Sequence, residues 1–156
     1  MRQLARQSWI VIGRLAYFIT QPGIKLVVHG SQRTRVLVVC DDDYLVVKHW
    51  LGNNNWMLPG GGCHKNEAPL DAAQRELHEE LGLDLGNEVF EHQGQYDCND
   101  GGFRFSFDLY LVRLSERPQL QLQRIEILNA QWFSRTAVLP DPASPEVFQA
   151  LANWPQ

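Results

Sequence analysis

The chain has 156 residues and a mass of 17.9 kDa, the size of one domain, and its 44% hydrophobic and 21% charged residues exclude long disorder. Its 14 Lys and Arg against 18 Asp and Glu leave a formal charge of −4, which weighs against a partner held mainly by phosphate-backbone contacts, such as a nucleic-acid polymer. Cys40, Cys63 and Cys98 are odd in number and widely spaced, so no disulfide framework is expected and a reducing compartment, the cytoplasm, fits.

From Trp9 to Ile19 the chain is apolar but for Arg14, with Arg6 and Gln7 before it. That run is too short for a bilayer, which takes about 20 apolar residues, and no small-residue cleavage site follows. Leu4, Ile12, Leu15 and Ile19 recur at helical spacing, so residues 1–22 are predicted to be an amphipathic helical extension closed by Pro22-Gly23. It serves either as a packing or homodimer contact or as a helix on a membrane surface; stable membrane insertion is not expected. Residues 23–156 form the single main domain.

Within that domain, β-branched runs at 24–30 (IKLVVHG) and 34–40 (TRVLVVC) are expected strands, and 44–50 (YLVVKHW) returns after a turn at Asp41-Asp42-Asp43. An acidic triplet suits that bend better than a metal. Trp56-Met57-Leu58 ends at Pro59 and meets Gly60, Gly61 and Gly62, which permit tight turning and close backbone approach. The period then becomes helical: Leu70, Ala73, Leu77 and Leu81 form one stripe from Pro69, and Gly82 is the stop. Two strands, 88–97 and 103–114, are predicted around a turn at Cys98–Gly102, then a strand near Ala130–Phe133. A last helix starts at Ser144-Pro145-Glu146, with Val147, Leu151 and Trp154 at near-helical spacing.

The helix near residues 69–81 carries unusual charge. At 100° per residue, Glu76 and Glu80 lie about 40° apart and Glu79 about 60° from Glu76, so three carboxylates share one flank. Their mutual repulsion is expected to cost helix stability, and Arg75, four residues before Glu79, relieves only part of it. A divalent cation resolves the clash. Magnesium or manganese takes hard carboxylate oxygens and can orient a diphosphate, polarise phosphorus and acidify a bound water. The bland alternative is a solvated acidic face.

Gly61, Glu67, Arg75-Glu76-Leu77, Glu79-Glu80 and Gly82-Leu83 follow one another at the spacing of a known signature. In that order the chain resembles the Nudix hydrolases. Leu58-Pro59-Gly60-Gly61 looks like the family's entrance to its catalytic loop and Ala130-Gln131-Trp132-Phe133 like its late strand, so the likeness covers residues 30 to 140.

The resemblance implies an α/β (α+β) fold: a mixed β-sheet sandwiched between α-helices, with a loop–helix–loop catalytic motif. It also implies an enzyme that hydrolyses a diphosphate linkage in a small nucleoside diphosphate derivative with Mg2+ or Mn2+. Carried over residue by residue, Glu76, Glu79 and Glu80 become metal ligands with the carbonyl of Gly61. Gly60, Gly61 and Gly82 shape the motif, and Glu67 pairs with Arg75. Glu126 is the candidate for a further ligand or the water-activating base, against a solvent-facing acid on a strand edge; Asp97 and Asp100 are weaker candidates.

The chain departs from the family pattern at His64, where glutamate is frequent, and at Asn66, which tolerates the left-handed backbone of the usual glycine. Asn129 stands where an acid is frequent. Cys63 and His64 lack the spaced partners of a zinc site. For the substrate, Lys48 and Arg104 are candidate phosphate contacts, and Trp56 and Phe103, with Trp50 and Phe105, are candidate base-stacking faces, each against an ordinary surface or core role. Two other functions stay open: a nucleotide-binding module without turnover, and an interaction protein acting through its N-terminus.

Overall fold

The computed structural model describes residues 31–50, 54–100, 103–123, 125–139 and 141–155. The expected N-terminal helix at 1–22 and strand at 24–30 lie outside them. Five strands form one sheet: β1 (Gln32–Cys40), β2 (Asp43–His49), β3 (Phe90–Asp100), β4 (Phe103–Leu114) and β5 (Ile127–Ser134), in the order β3-β4-β1-β2-β5. β1 and β4 are parallel and the other pairs antiparallel. Helices α1 (Pro69–Leu81) and α2 (Pro145–Ala152) cover opposite faces.

That sandwich explains the near-continuous apolar runs of β1 and β2, since both faces of a central strand are buried. Val36, Val38, Leu45 and Val47 pack with Ala73, Leu77 and Leu81 of α1. Their alternate neighbours Leu37, Val39, Tyr44 and Val46 pack with Val147 and Ala150 of α2 and with Trp154 just beyond it. The fold class expected from the family resemblance is therefore the one observed. Among the described residues no helix is long and apolar enough to cross a membrane.

β1 and β2 touch only at their hairpin end, through Val39–Tyr44 and Cys40–Asp43. Farther along they diverge, and residues 57–61 fill the gap. Met57 exchanges two 2.9 Å backbone hydrogen bonds with Val47, while Pro59 O accepts from Val36 N and Gly61 O from Thr34 N, each at 2.9 Å. The glycine loop is thus wedged into the sheet. Gly60 has φ +129°, and a Cβ there would collide with the Thr34 carbonyl oxygen, so only glycine fits.

Several boundaries differ from expectation. The β1–β2 turn is Asp41-Asp42 alone, with Asp41 in the left-handed region that Asp tolerates, and Asp43 already belongs to β2. Cys98, Asn99 and Asp100 extend β3 rather than form its turn, pairing with Phe105, Arg104 and Phe103. On α1 the buried residues are Ala72, Ala73, Leu77, Glu80 and Leu81, while Leu70, placed in the apolar stripe, is 36% exposed. The buried face is turned toward Ala72 and Glu80, and this turns one of the motif carboxylates inward. Gly82 ends α1 in a left-handed conformation, its N–H donating to His78 O.

Candidate active site

Arg75 organises the outer half of the motif. Its Nε and Nη2 donate to the two oxygens of Glu67 at 2.8 and 2.9 Å, and Nη2 also reaches Gly62 O at 3.0 Å. Its Nη1 donates to Glu76 Oε1 at 2.9 Å and Glu79 Oε2 at 3.1 Å. One guanidinium therefore serves three carboxylates, so Arg75 relieves more of the repulsion on this flank than its spacing to Glu79 alone suggests. Bidentate pairing of this kind adds fixed geometry as well as energy. Glu67 Oε2 also accepts from His64 N at 2.7 Å across the left-handed Asn66. The Arg75 hydrogen bonds first, and that backbone N–H next, hold the Glu67 carboxyl down to about 2.

Glu80 points the other way. Its side chain is 1% exposed; Oε2 accepts from Gly60 N at 3.0 Å, while Oε1 has no hydrogen-bond partner among the described residues. Oε1 lies 3.3 Å from Nε2 of His49, another buried atom without a hydrogen bond. Glu126 joins them: the ligand atoms of His49, Glu80 and Glu126 lie within 4.8 Å of one another. Two backbone contacts deliver Glu126 there, Trp50 N to Glu126 O at 2.7 Å and Gln123 N to Glu80 O at 3.1 Å.

The electrostatics follow from that burial. Glu80 is pushed up to about 8, by loss of solvent first, with the charges of Glu76 and Glu126 adding and Gly60 N–H and Arg35 opposing. Glu126 is also raised, by desolvation and then by Glu76 and Glu79. Burial, followed by Arg35 and Arg33, pushes His49 down to about 3, which keeps its imidazole neutral. A carboxylate cluster with one orphaned buried oxygen is a fit for a divalent cation, which supplies the missing partner and favours the ionised form. Gly61 sits against this set: a Cβ there would collide with the Glu76 carboxylate.

The remaining candidates are dispersed. Trp56 is 7% exposed, its ring against Phe133 at 5.6 Å and beneath Lys48 Nζ at 4.7 Å, so the base-stacking expectation is corrected: its faces are occupied by the core. Lys48 accordingly lies on the α2 side of the sheet, away from the helix carboxylates. Arg104 is exposed on β4 opposite Asn99, and Phe103 pairs with Asp100 through its backbone. His64 is exposed, with Nδ1 3.7 Å from Glu67, and Cys63, Cys40 and Cys98 are free thiols. Asn129 pairs with Lys48 in the sheet.

His49, Arg35 and Glu146 went unmarked in the sequence. His49 closes an ordinary strand, and no local spacing ties it to Glu80; the signal is only a polar residue at the end of a buried run. Arg35 and Glu146 form an ion pair at 2.7 Å with both side chains buried. Arg35 Nη1 donates to Gly60 O at 2.8 Å and to Thr34 O at 3.0 Å. Glu146 Oε1 also accepts from Leu58 N at 3.3 Å. A chain of contacts thus runs from α2 through Arg35 and Gly60 to Glu80.

Residues 30–154 match the family described as the NUDIX domain. An RNA pyrophosphohydrolase of Ruthia magnifica is 30% identical over 83 residues, covering 53% of this chain and 44% of that protein. The chain spans less than half the length of this and of the related Bartonella henselae protein, of which 25% is covered. Among solved structures, a MutT NUDIX hydrolase from Burkholderia pseudomallei superimposes with a TM-score of 0.71 at 24% identity, covering 80% of this chain and 98% of that one. An Ap4A hydrolase from C. elegans gives 0.68 at 18% identity, over 79% and 93%. These structural likenesses carry the fold.

Proposed function

The chain belongs to the NUDIX family by its match over residues 30–154, and from that premise we propose that it hydrolyses a diphosphate linkage in a small nucleoside diphosphate derivative, using Mg2+ or Mn2+. The observation that carries this reading is the buried Glu80 carboxylate, fixed on Gly60 N with its other oxygen facing Glu126 without a hydrogen bond. Glu76, Glu79, Glu80 and the Gly61 carbonyl are the proposed ligands. Gly61 O already accepts from Thr34 N, so a second lone pair would serve. When bound, the cation neutralises charge on the diphosphate and acidifies water.

The chain's own groups do the rest. Arg75 holds Glu76 and Glu79 in place while tying Glu67 and the loop to α1. Glu126, the more exposed of the two carboxyls with raised pKa, is the proposed base, since a raised pKa strengthens proton acceptance. Water then attacks phosphorus, the bridging oxygen leaves with the electron pair of the broken P–O bond, and the water's proton passes to Glu126. Arg104, exposed at the start of β4, and its neighbour Phe103 are the proposed phosphate and base contacts. Three free thiols support a reducing, cytoplasmic setting.

The test is a panel of nucleoside diphosphate sugars, dinucleoside polyphosphates, nucleoside triphosphates and 5′-triphosphorylated RNA, each with magnesium or manganese. Released phosphate, pyrophosphate and mononucleotide are measured. Turnover of a small substrate that falls at least tenfold in Glu80→Gln is expected. Turnover of RNA alone, the substrate in the name of the Ruthia relative, would overturn the small-molecule reading. Binding without product would favour the nucleotide-binding module.

A further inference from the structure

We propose that His49 is a nitrogen ligand of the divalent cation, making the site a mixed imidazole–carboxylate set that ranks manganese above magnesium. This rests on the metal-dependent reading above and adds a ligand from outside the signature motif. Three features of the structure point to it.

The first is placement. His49 is the last residue of β2, and the pairing with β5 shifts register between Lys48 and His49. The strand's period of two sets His49 on the face of Leu45 and Val47, toward α1. Lys48 lies over Trp56 on the α2 side, whereas His49 comes to 3.3 Å from Glu80 on α1.

The second is the state of the two facing atoms. Nε2 of His49 and Oε1 of Glu80 are both buried, and neither forms a hydrogen bond among the described residues despite their closeness. Buried polar atoms without partners are uncommon in folded proteins, and two of them face to face suit a shared cation. Since Glu80 is itself 1% exposed and its Oε2 is fixed on Gly60 N, Oε1 cannot turn to solvent for compensation.

The third is composition. His49, Glu80 and Glu126 bring one nitrogen and two carboxylate oxygens within 4.8 Å of one another, so the imidazole faces the motif carboxylate with Glu126, the proposed base, beside them. Magnesium strongly favours oxygen and gives up its waters reluctantly, whereas affinity for a site containing imidazole rises through the first-row transition ions from manganese onward. A nitrogen donor therefore separates the two cations where an all-carboxylate site discriminates less.

Manganese alone is the probe, on the full chain. Pulsed electron paramagnetic resonance of the Mn2+-loaded protein should show a nitrogen coupling that changes when histidine is labelled with 15N. The coupling should vanish in His49→Gln, which should still bind Mn2+ through its carboxylates, and persist in His64→Gln. The ratio of manganese to magnesium affinity should fall about tenfold in His49→Gln. Manganese bound in a Glu80-dependent manner without nitrogen coupling would overturn the His49 role and leave the hydrolase reading standing, as would a coupling that survives His49→Gln. If His49→Gln does not fold, loss of the 15N-dependent coupling in His64→Gln overturns the assignment. No Glu80-dependent manganese binding at all would sink the metal-dependent reading itself.

Discussion

Glu80 is a carboxyl whose surroundings oppose its charge until something cationic arrives. In the metal-free chain its pKa is raised to about 8, from an ordinary value of 4.5, by burial first. The folded state therefore holds a proton more tightly than the unfolded state. That contribution to stability is fully present below about 4.5 and is lost as pH rises through about 8. With chelator present, the melting temperature should fall between pH 5 and pH 8, and Glu80→Gln, neutral throughout, should flatten the slope. Magnesium or manganese should reverse the trend, because cation binding requires the ionised carboxylate. Melts at several pH values, with cation and with chelator, check this; a wild-type slope equal to that of Glu80→Gln would remove Glu80 as its source. Glu67 titrates in the opposite sense: held down to about 2, it stabilises the fold above about 4.5 and loses that effect on acidification toward 2.

At the scale of elements, α2 is coupled to the glycine loop through charge rather than through apolar contact alone. Glu146 lies in the first turn of α2, where a carboxylate also suits the helix dipole, and its pair with Arg35 is fully buried. Removing one member of such a pair strands the other charge, so Glu146→Ala should cost about 3–5 kcal/mol in chemical denaturation. The double variant Arg35→Met, Glu146→Leu should recover much of that stability but not turnover, because Gly60 O would still lack its Arg35 donor. Recovery of both would reduce the pair to packing. Local signals made much of this fold legible: the period change and Gly82 located α1, the β-branched runs located β1 and β2, and the Gly61–Gly82 spacing located the motif. His49 and the Arg35–Glu146 pair were not legible, because 31 residues separate His49 from Glu80 and 111 separate Arg35 from Glu146. No helical or strand period reaches across such distances; only the sheet order and the divergence of β1 from β2 bring these residues together. Leu70 misled for a related reason. Its spacing fits the stripe, but a helix packed through Glu80 is rotated by the very residue that a hydrophobic pattern treats as polar.

For the whole molecule, the question is what residues 1–22 add to a domain whose family match begins at residue 30. The described strands and helices already bury both faces of the sheet, and the motif contacts found among the described residues lie within 32–146. Chemistry is therefore expected to survive without the N-terminal segment. Its apolar residues at helical spacing instead suit a surface that meets a second copy of the chain, a proposal drawn from the sequence. Deleting residues 1–20 should leave metal-dependent turnover per chain within about twofold. The same deletion should lower the sedimentation coefficient to that of a single chain, since isologous contacts are the common route to homodimers. An unchanged mass in solution would remove the dimer role. Loss of turnover with the mass unchanged would mean that the segment reaches the Glu80 site within its own chain, and loss of both together would tie catalysis to the dimer.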